Sequence, residues 1–368
     1  MNNHPPSQPS IPHASLKKEI EEKNGKGEKK MQQAPERQPP SLLPELPLLL
    51  ERLKNSLRRL APEGIAFAYS GGVDSSLLLN LLKKQYDEKP FPLLALTMRS
   101  VFQDPHEMEA ALSEARSLGV ELEFLEMDPF SIPEMKNNPP DRCYWCKRRI
   151  FSLIRRHAEE RGLKWVMDGT NADDLKTYRP GLAALKESAV LSPLAELGIG
   201  KKQVRLMASE LALPTARKAS VPCLATRFEY GFMPEEKDIE NVIAGEALLR
   251  TLLLPASADI RLRVHRNVRW CPRSGRAGEK DGNPNAENPG PGKEDHKKPS
   301  LLARIEVSEN ALGAVLSQRG EITAGLGKLG FRYITLDLQG FRSGSMDSPG
   351  ENNGENNGEN NGASPSSS

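Results

Sequence analysis

Between residues 41 and 60, leucines recur at Leu42, Leu43, Leu46, Leu48, Leu49, Leu50, Leu53 and Leu57, and basic residues gather toward the end. This is the pattern of an amphipathic helix whose negative C-terminal end attracts cations. Ile65 to Tyr69 is a short apolar run that stops at Ser70-Gly71-Gly72-Val73-Asp74-Ser75-Ser76, and Leu77, Leu78, Leu79, Leu81 and Leu82 beyond it predict a buried helix. Strand-like runs at Leu93 to Met98, Glu121 to Met127 and Trp165 to Asp168 alternate with helical ones at Pro105 to Leu118 and Tyr144 to Arg161. Such alternation predicts an α/β fold with a parallel sheet covered on both faces. Ala189 to Leu191 adds a further strand, and Lys201 to Leu213 a helix that ends before Pro214. Past Pro234 the order changes to a helix up to Leu254, strands at Ile260 to His265 and Leu302 to Val307, a helix capped by Ser308, and a last strand at Arg332 to Leu338. The expected organisation is an α/β domain over 41–232 followed by a smaller C-terminal α+β domain over 233–342.

Composition trims this picture at three places. Residues 1–40 are crowded with Pro, Gln, Lys and Glu and lack apolar periodicity, so they are expected to form a disordered tail. Residues 343–368, with their repeated Glu-Asn-Asn-Gly and Ser-rich finish, predict a second tail, and 272–300 reads as a low-complexity insertion in a loop. A net charge of +2 over 368 residues argues against a strongly basic nucleic-acid binder. There is no apolar run of transmembrane length and no signal-peptide pattern, which points to a cytoplasmic chain with no membrane partner. Four cysteines, two of them spaced Cys-x-x-Cys, suggest thiol or metal chemistry in a reducing compartment.

The glycine-rich segment after the first strand is a phosphate cradle in its residue types. Gly71 and Gly72 let the backbone bend toward an anion, the following helix presents unpaired amides, and Ser70, Ser75 and Ser76 offer hydroxyls. It lacks the lysine of the Walker loop, which disfavours kinase or GTPase chemistry. The bland alternative is a Gly-Gly turn that happens to precede a helix. A second loop, Asp168-Gly169-Thr170-Asn171-Ala172-Asp173-Asp174, follows the fourth main strand. Loops at the carboxyl ends of parallel strands face one site. Asp74 is there the first choice to hold Mg²⁺ on a pyrophosphate, while Asp173 and Asp174 also suit an Asx turn that opens a helix. The glycine string resembles the PP-loop of the ATP pyrophosphatases, an adenine nucleotide alpha-hydrolase-like fold whose members split ATP to AMP and pyrophosphate while adenylating a substrate.

Arg142-Cys143-Tyr144-Trp145-Cys146-Lys147 places two thiols at a helix start, where the dipole, Arg142 and Lys147 favour thiolate. Cys223 lies in Val221-Pro222-Cys223-Leu224-Ala225-Thr226-Arg227, and Cys271, beside the insertion, reads as incidental. A zinc site, or a thiol pair that never meets Cys223, is the structural alternative. Together the glycine loop, the Asp-Gly-Thr-Asn loop, the Arg-Cys-x-x-Cys-Lys string and the Pro-Cys-Leu-Ala-x-Arg string resemble the LarE family over roughly residues 45 to 340. That family makes pyridinium-3,5-bisthiocarboxylic acid mononucleotide, the organic part of the nickel-pincer cofactor of lactate racemase.

The resemblance implies an ATP-dependent sulfurtransferase that adenylates the carboxylates of a pyridinium mononucleotide and replaces oxygen by sulfur. In the family, a cysteine at the position of Cys223 attacks the adenylated carboxylate, sometimes sacrificially. Members with two further cysteines hold a [4Fe-4S] cluster, and Cys143, Cys146 and Cys223 match that type. The resemblance places ATP on Ser70, Gly71, Gly72, Asp74, Ser75, Ser76, Thr97, Gly169 and Thr170. It places anionic substrate on Arg227, Arg261 and Arg263, of which the last two alternate on one strand face. Glu246 and Glu306 are candidate metal or site carboxylates. A symmetric homo-oligomer is also implied, while the sulfide donor is not specified. Competing readings are a nitrogen-transferring synthetase, a transfer-RNA thiolase, and a nucleotide-sensing module with structural zinc.

Overall fold

The computed structural model describes residues 45–176, 180–254, 259–266 and 301–342. Cys271, the insertion at 272–300 and both expected tails lie outside the described residues. The first helix, α1 (Leu46–Leu60), buries Leu46, Leu53 and Leu57 and carries Arg58 and Arg59 in its last turn. Strand β1 (Ile65–Ala68) is followed by α2 (Val73–Glu88), β2 (Leu93–Arg99), α3 (Pro105–Ser117), β3 (Leu122–Glu126), α4 (Arg142–Glu160) and β4 (Trp165–Met167). The four strands form one parallel sheet in the order β3-β2-β1-β4, with Ile65 paired to Leu93 on one side and Trp165 on the other.

Alternation along β1 explains why both faces are covered. Ile65 and Phe67 enter a core with Leu53, Leu57, Leu77, Leu78 and Leu81 of α1 and α2. Ala66, between them, joins Leu96, Phe151 and Ile154 against α4 on the opposite face. Each large side chain so buried contributes about 1.5–3 kcal/mol. The chain is therefore α/β with a helix-covered parallel sheet, an arrangement compatible with the PP-loop fold.

After β4 come α5 (Pro180–Glu187), α6 (Pro193–Glu196) and α7 (Lys201–Glu210), then α8 (Glu236–Leu253), β5 (Ile260–Arg266), β6 (Leu301–Val307), α9 (Leu312–Ser317), α10 (Arg319–Lys328) and β7 (Phe331–Leu336). The second sheet runs β5-β6-β7, with β5 antiparallel and β7 parallel to β6. A hydrophobic cluster of Phe102, Met127 and Met135 with Leu224, Phe228 and Leu262 connects the two sheets.

Local backbone chemistry moves several expected boundaries. The strand expected at 189–191 is reduced to a single parallel bridge between Leu191 and Met167, because Ala189 adopts a positive φ of 48° and breaks the extended run. Helix α7 stops at Glu210 rather than Leu213, with Ala212 left-handed at φ 53°. Strand β7 ends at Leu336 because Asp337 accepts from the Gln339 N–H at 2.9 Å and turns the chain. Helix α4 begins two residues earlier than expected, so Cys143 and Cys146 both lie in its opening turns. Among the described residues, no helix is long and apolar enough to cross a membrane.

Candidate active site

The glycine loop joins β1 to α2 with Gly72 as an extended N-cap and no side chain capping the helix. The first amides of α2 therefore remain available to an anion, as helix N-termini do. Gly71 has φ 71°, and a Cβ there would lie 2.5 Å from the Cβ of Ala111. The serines are already engaged, Ser70 and Ser75 within their own loop. Ser70 and Ser75 Oγ atoms lie 3.0 Å apart, Ser75 donates to the Gly72 carbonyl at 3.0 Å, and Ser76 points inward to donate to Glu114 at 2.7 Å. Tyr69 donates to the same Glu114 oxygen at 2.8 Å, and burial, more than this partner, drives its phenol far above its ordinary range.

The second loop touches the first. A Cβ on Gly169 would meet the backbone N of Ser75 at 2.9 Å and its Cα at 3.2 Å, so the absence of a side chain lets the two backbones meet. Gly169→Ala is accordingly expected to displace the start of α2 and weaken binding of an ATP analogue by up to about a hundredfold. Calorimetric titration checks this, and unchanged affinity would mean that the contact is not used. Asp168 accepts from the Thr170 hydroxyl at 2.6 Å and from Ser192 at 2.6 Å. The Asn171 side chain accepts from the Asp173 and Asp174 N–H groups, so the side chain that makes the Asx turn here is Asn171 rather than Asp173 or Asp174. Asp173 in turn accepts from Lys176 and from the Lys201 N–H at the start of α7, and Lys176 first of all holds its carboxyl below the usual range. Asp74 is held by Asn171 at 3.2 Å and by the Lys201 ammonium.

A cavity of about 350 Å³ opens beside the glycine loop. Ser70 and Thr97 contribute to its wall, and so do Cys143, Cys146 and Cys223. All three thiols are free. Burial first, then the neighbouring Cys223 and Cys143, push the Cys146 thiol up to about 12. Cys223 is exposed by surface area, yet desolvation of its sulfur by the surrounding protein still raises the thiol, opposed by the Ala225 N–H, Arg142 and Arg227. Thiolate stabilisation at the helix start, expected from the sequence, is thus outweighed at Cys146 by desolvation, with Lys147 a minor opposing charge.

The arginines divide into paired and unpaired. Arg227 and Glu246, each 1% exposed, form a two-point ion pair at 2.7 and 3.3 Å. Glu246 also accepts from the Leu262 N–H at 3.0 Å and from Arg250 at 3.2 Å. Arg263 donates to Glu306 at 3.0 Å and to the Thr226 carbonyl, and Arg304 adds a 3.1 Å bond to Glu306. Arg261 shares the strand face of Arg263, but its side chain makes no hydrogen bond or ion pair with the described residues. Its guanidinium lies 4.0 Å from the centroid of the Phe341 ring. Burial, then Arg263 and Arg227, lower it to about 10.

No protein-family model matches the chain. It is similar to pyridinium-3,5-bisthiocarboxylic acid mononucleotide synthase of Lactiplantibacillus plantarum, with 31% identity over 283 residues that cover 77% of this chain and 88% of the relative. The chain belongs to the pyridinium-3,5-bisthiocarboxylic acid mononucleotide synthase family. It is also 33% identical over 282 residues to an uncharacterised Synechocystis protein, covering 76% of this chain and 90% of that one. A third relative, an uncharacterised protein of Methanocaldococcus jannaschii, is 29% identical over 295 residues, covering 80% of this chain and 97% of its own.

Within this synthase family, the donor set of the chain can be tested against the implied metals. Three cysteine thiols lining one cavity have the chemistry an iron–sulfur cluster needs. Among the described residues, however, no group of three or more His, Cys, Asp or Glu converges to metal-holding distance. The carboxylates fit a protein-held Mg²⁺ less well, since Asp74 is paired with Lys201 and both Glu246 and Glu306 are committed to arginines. Sequence reasoning missed Lys201, Lys218 and Glu114. Lys218 donates to the Gly71 carbonyl at 3.0 Å and pairs with Glu107 at 2.9 Å. Of the three, only Glu114 left a trace, as a carboxylate on a helix between the small core residues Ala111 and Ala115.

Proposed function

We propose that this chain is an ATP-dependent sulfurtransferase that converts the carboxylates of pyridinium-3,5-biscarboxylic acid mononucleotide to thiocarboxylates, in nickel-pincer cofactor biosynthesis. The observation that carries this reading is one cavity walled by Ser70 of the glycine loop, Thr97 of β2 and three cysteines. Nucleotide chemistry and sulfur chemistry would there share one space. The L. plantarum relative, named for the bisthiocarboxylic product, supplies the substrate class.

In the proposed reaction, the first amides of α2 bind the phosphates of ATP and orient the α-phosphorus toward the cavity. A substrate carboxylate oxygen attacks that phosphorus, a new P–O bond forms, and pyrophosphate leaves with the electron pair of the old one. A carboxylate resists nucleophiles, whereas AMP is a good leaving group, and the developing charge is dispersed over the loop amides. A sulfur nucleophile then adds to the acyl carbon, the C–O bond to AMP breaks, and the electron pair departs on AMP. Cys143, Cys146 and Cys223 would hold a [4Fe-4S] cluster, which when bound supplies an iron without protein ligand where exogenous hydrosulfide can add. Mg²⁺ would enter with the nucleotide, and Asp74 meets it only if its pair with Lys201 opens. Arg261, whose side chain has no carboxylate partner among the described residues, is suited to the phosphate of the mononucleotide.

The test is anaerobic incubation of the reconstituted protein with ATP, sulfide and the biscarboxylic mononucleotide. One AMP and one pyrophosphate per oxygen replaced, with thiocarboxylate seen by mass spectrometry, is the expected result. Substrate-independent ATP cleavage, or amide formation when ammonia replaces sulfide, would overturn it.

A further inference from the structure

The charges around the 350 Å³ cavity do not balance. Its two carboxylates are both answered by cations on other segments: Glu107 by Lys218 at 2.9 Å, and Asp104 by Arg250 at 3.8 Å. Its cations are Arg142 and Lys147, and neither makes an ion pair or side-chain hydrogen bond with the described residues. Lys147 is partly exposed, so water can satisfy it. Arg142 is only 8% exposed, and its Nη1 is buried with no hydrogen-bond partner. The guanidinium carbon lies 4.7 Å from the centroid of the Tyr230 ring, a cation–π contact that offers Nη1 no oxygen acceptor.

A buried guanidinium nitrogen without an acceptor is costly, since an unmet donor forfeits about 1–3 kcal/mol and a charged one more. The arrangement is explained if the missing acceptors belong to a ligand. Resting on the proposed reaction, we infer that Arg142 binds the substrate carboxylate that is to be thiolated and holds it beside the cysteines. A planar guanidinium matches a carboxylate by paired N–H···O bonds, which an ammonium cannot do. Its place in the chain fits that role: Arg142 directly precedes Cys143 and shares the cavity wall with Cys223. The phosphate cradle, by contrast, is made by a different segment, the start of α2. Arg142 thus serves a different anion from the one held by the glycine loop.

The experiment is calorimetric titration of the full-length protein, as wild type, Arg142→Met and Arg142→Lys. The ligands are pyridine-3,5-dicarboxylate, the uncharged 3,5-dimethylpyridine and α,β-methylene-ATP. Arg142→Met is expected to raise the Kd for the dicarboxylate about 10- to 100-fold. The ATP analogue and dimethylpyridine should bind as they do to wild type. Arg142→Lys should recover part of the loss and carries the comparison should the Met variant fail to fold. An unchanged dicarboxylate Kd in both variants, or no dicarboxylate binding by wild type, would overturn the assignment. Equal losses for the dicarboxylate and the ATP analogue would overturn it too, by making Arg142 a nucleotide-phosphate ligand. Arg142-dependent dicarboxylate binding in a protein that releases no AMP with the mononucleotide would leave this inference standing and sink the adenylation reading instead.

Discussion

Replacing Cys223 by Ala is expected to lower sulfur incorporation by about a thousandfold or more, because no neighbouring group can replace a lost nucleophile or sulfur ligand. Substrate-dependent pyrophosphate release should stay within about threefold of wild type, since that step uses the glycine loop. The asymmetry follows from the cavity: Ser70 and Thr97 contribute one part of its wall, and the thiols another. Cys143→Ala separates two sulfur routes. If sulfur travels through three thiols acting together, this variant should lose turnover and iron binding along with Cys223→Ala. If Cys223 gives up its own sulfur, Cys143→Ala should still complete a single turnover and leave dehydroalanine at 223. A quenched single-turnover assay with mass analysis of protein and product distinguishes them. Loss of pyrophosphate release in Cys223→Ala would sink the division of labour altogether.

The parallel sheet was legible because its strands are buried on both faces and read as apolar runs punctuated by glycine loops. The runs Ile65 to Tyr69 and Leu93 to Met98 needed no tertiary information to be found, and the strands formed are Ile65–Ala68 and Leu93–Arg99. The shared cavity is a different matter. Ser70, Thr97, Cys143 and Cys223 come from four segments, and only the order of strands in the sheet decides that they meet. Family resemblance supplied the expectation that the cysteines would gather, and local pattern did not. Ser76 shows the limit at the scale of one turn. Three serines in a glycine loop look equivalent in sequence, yet helical phase turns Ser76 inward to Glu114 of α3, thirty-eight positions away. In the same way, the left-handed backbone at Ala189 and Ala212, which shortened two expected elements, belongs to residues whose type gives no warning of it.

Arg227 shows where proximity in sequence and role in structure part. Four residues after Cys223, it reads as an anion ligand, but in the folded chain its guanidinium is engaged by Glu246, Thr226 and the Pro222 carbonyl. Arg227→Met is therefore expected to destabilise the protein by up to about 3–5 kcal/mol, because it removes the two-point partner of a carboxylate that is 1% exposed and leaves it only Arg250 and the Leu262 N–H. That corresponds to a fall of roughly 10 °C in the melting midpoint. Arg227→Met combined with Glu246→Gln should recover part of the loss, since the amide oxygen still accepts from the Leu262 N–H and Arg250 keeps its contact with Asp104 at 3.8 Å. Arg261→Met strands no carboxylate, so its midpoint should stay within a few degrees of wild type while affinity for inorganic phosphate falls about tenfold. Thermal unfolding and phosphate titration of the same variants decide the matter. A stable Arg227→Met protein with lost phosphate affinity would return Arg227 to the substrate site and make its pairing with Glu246 a feature that ligand binding displaces.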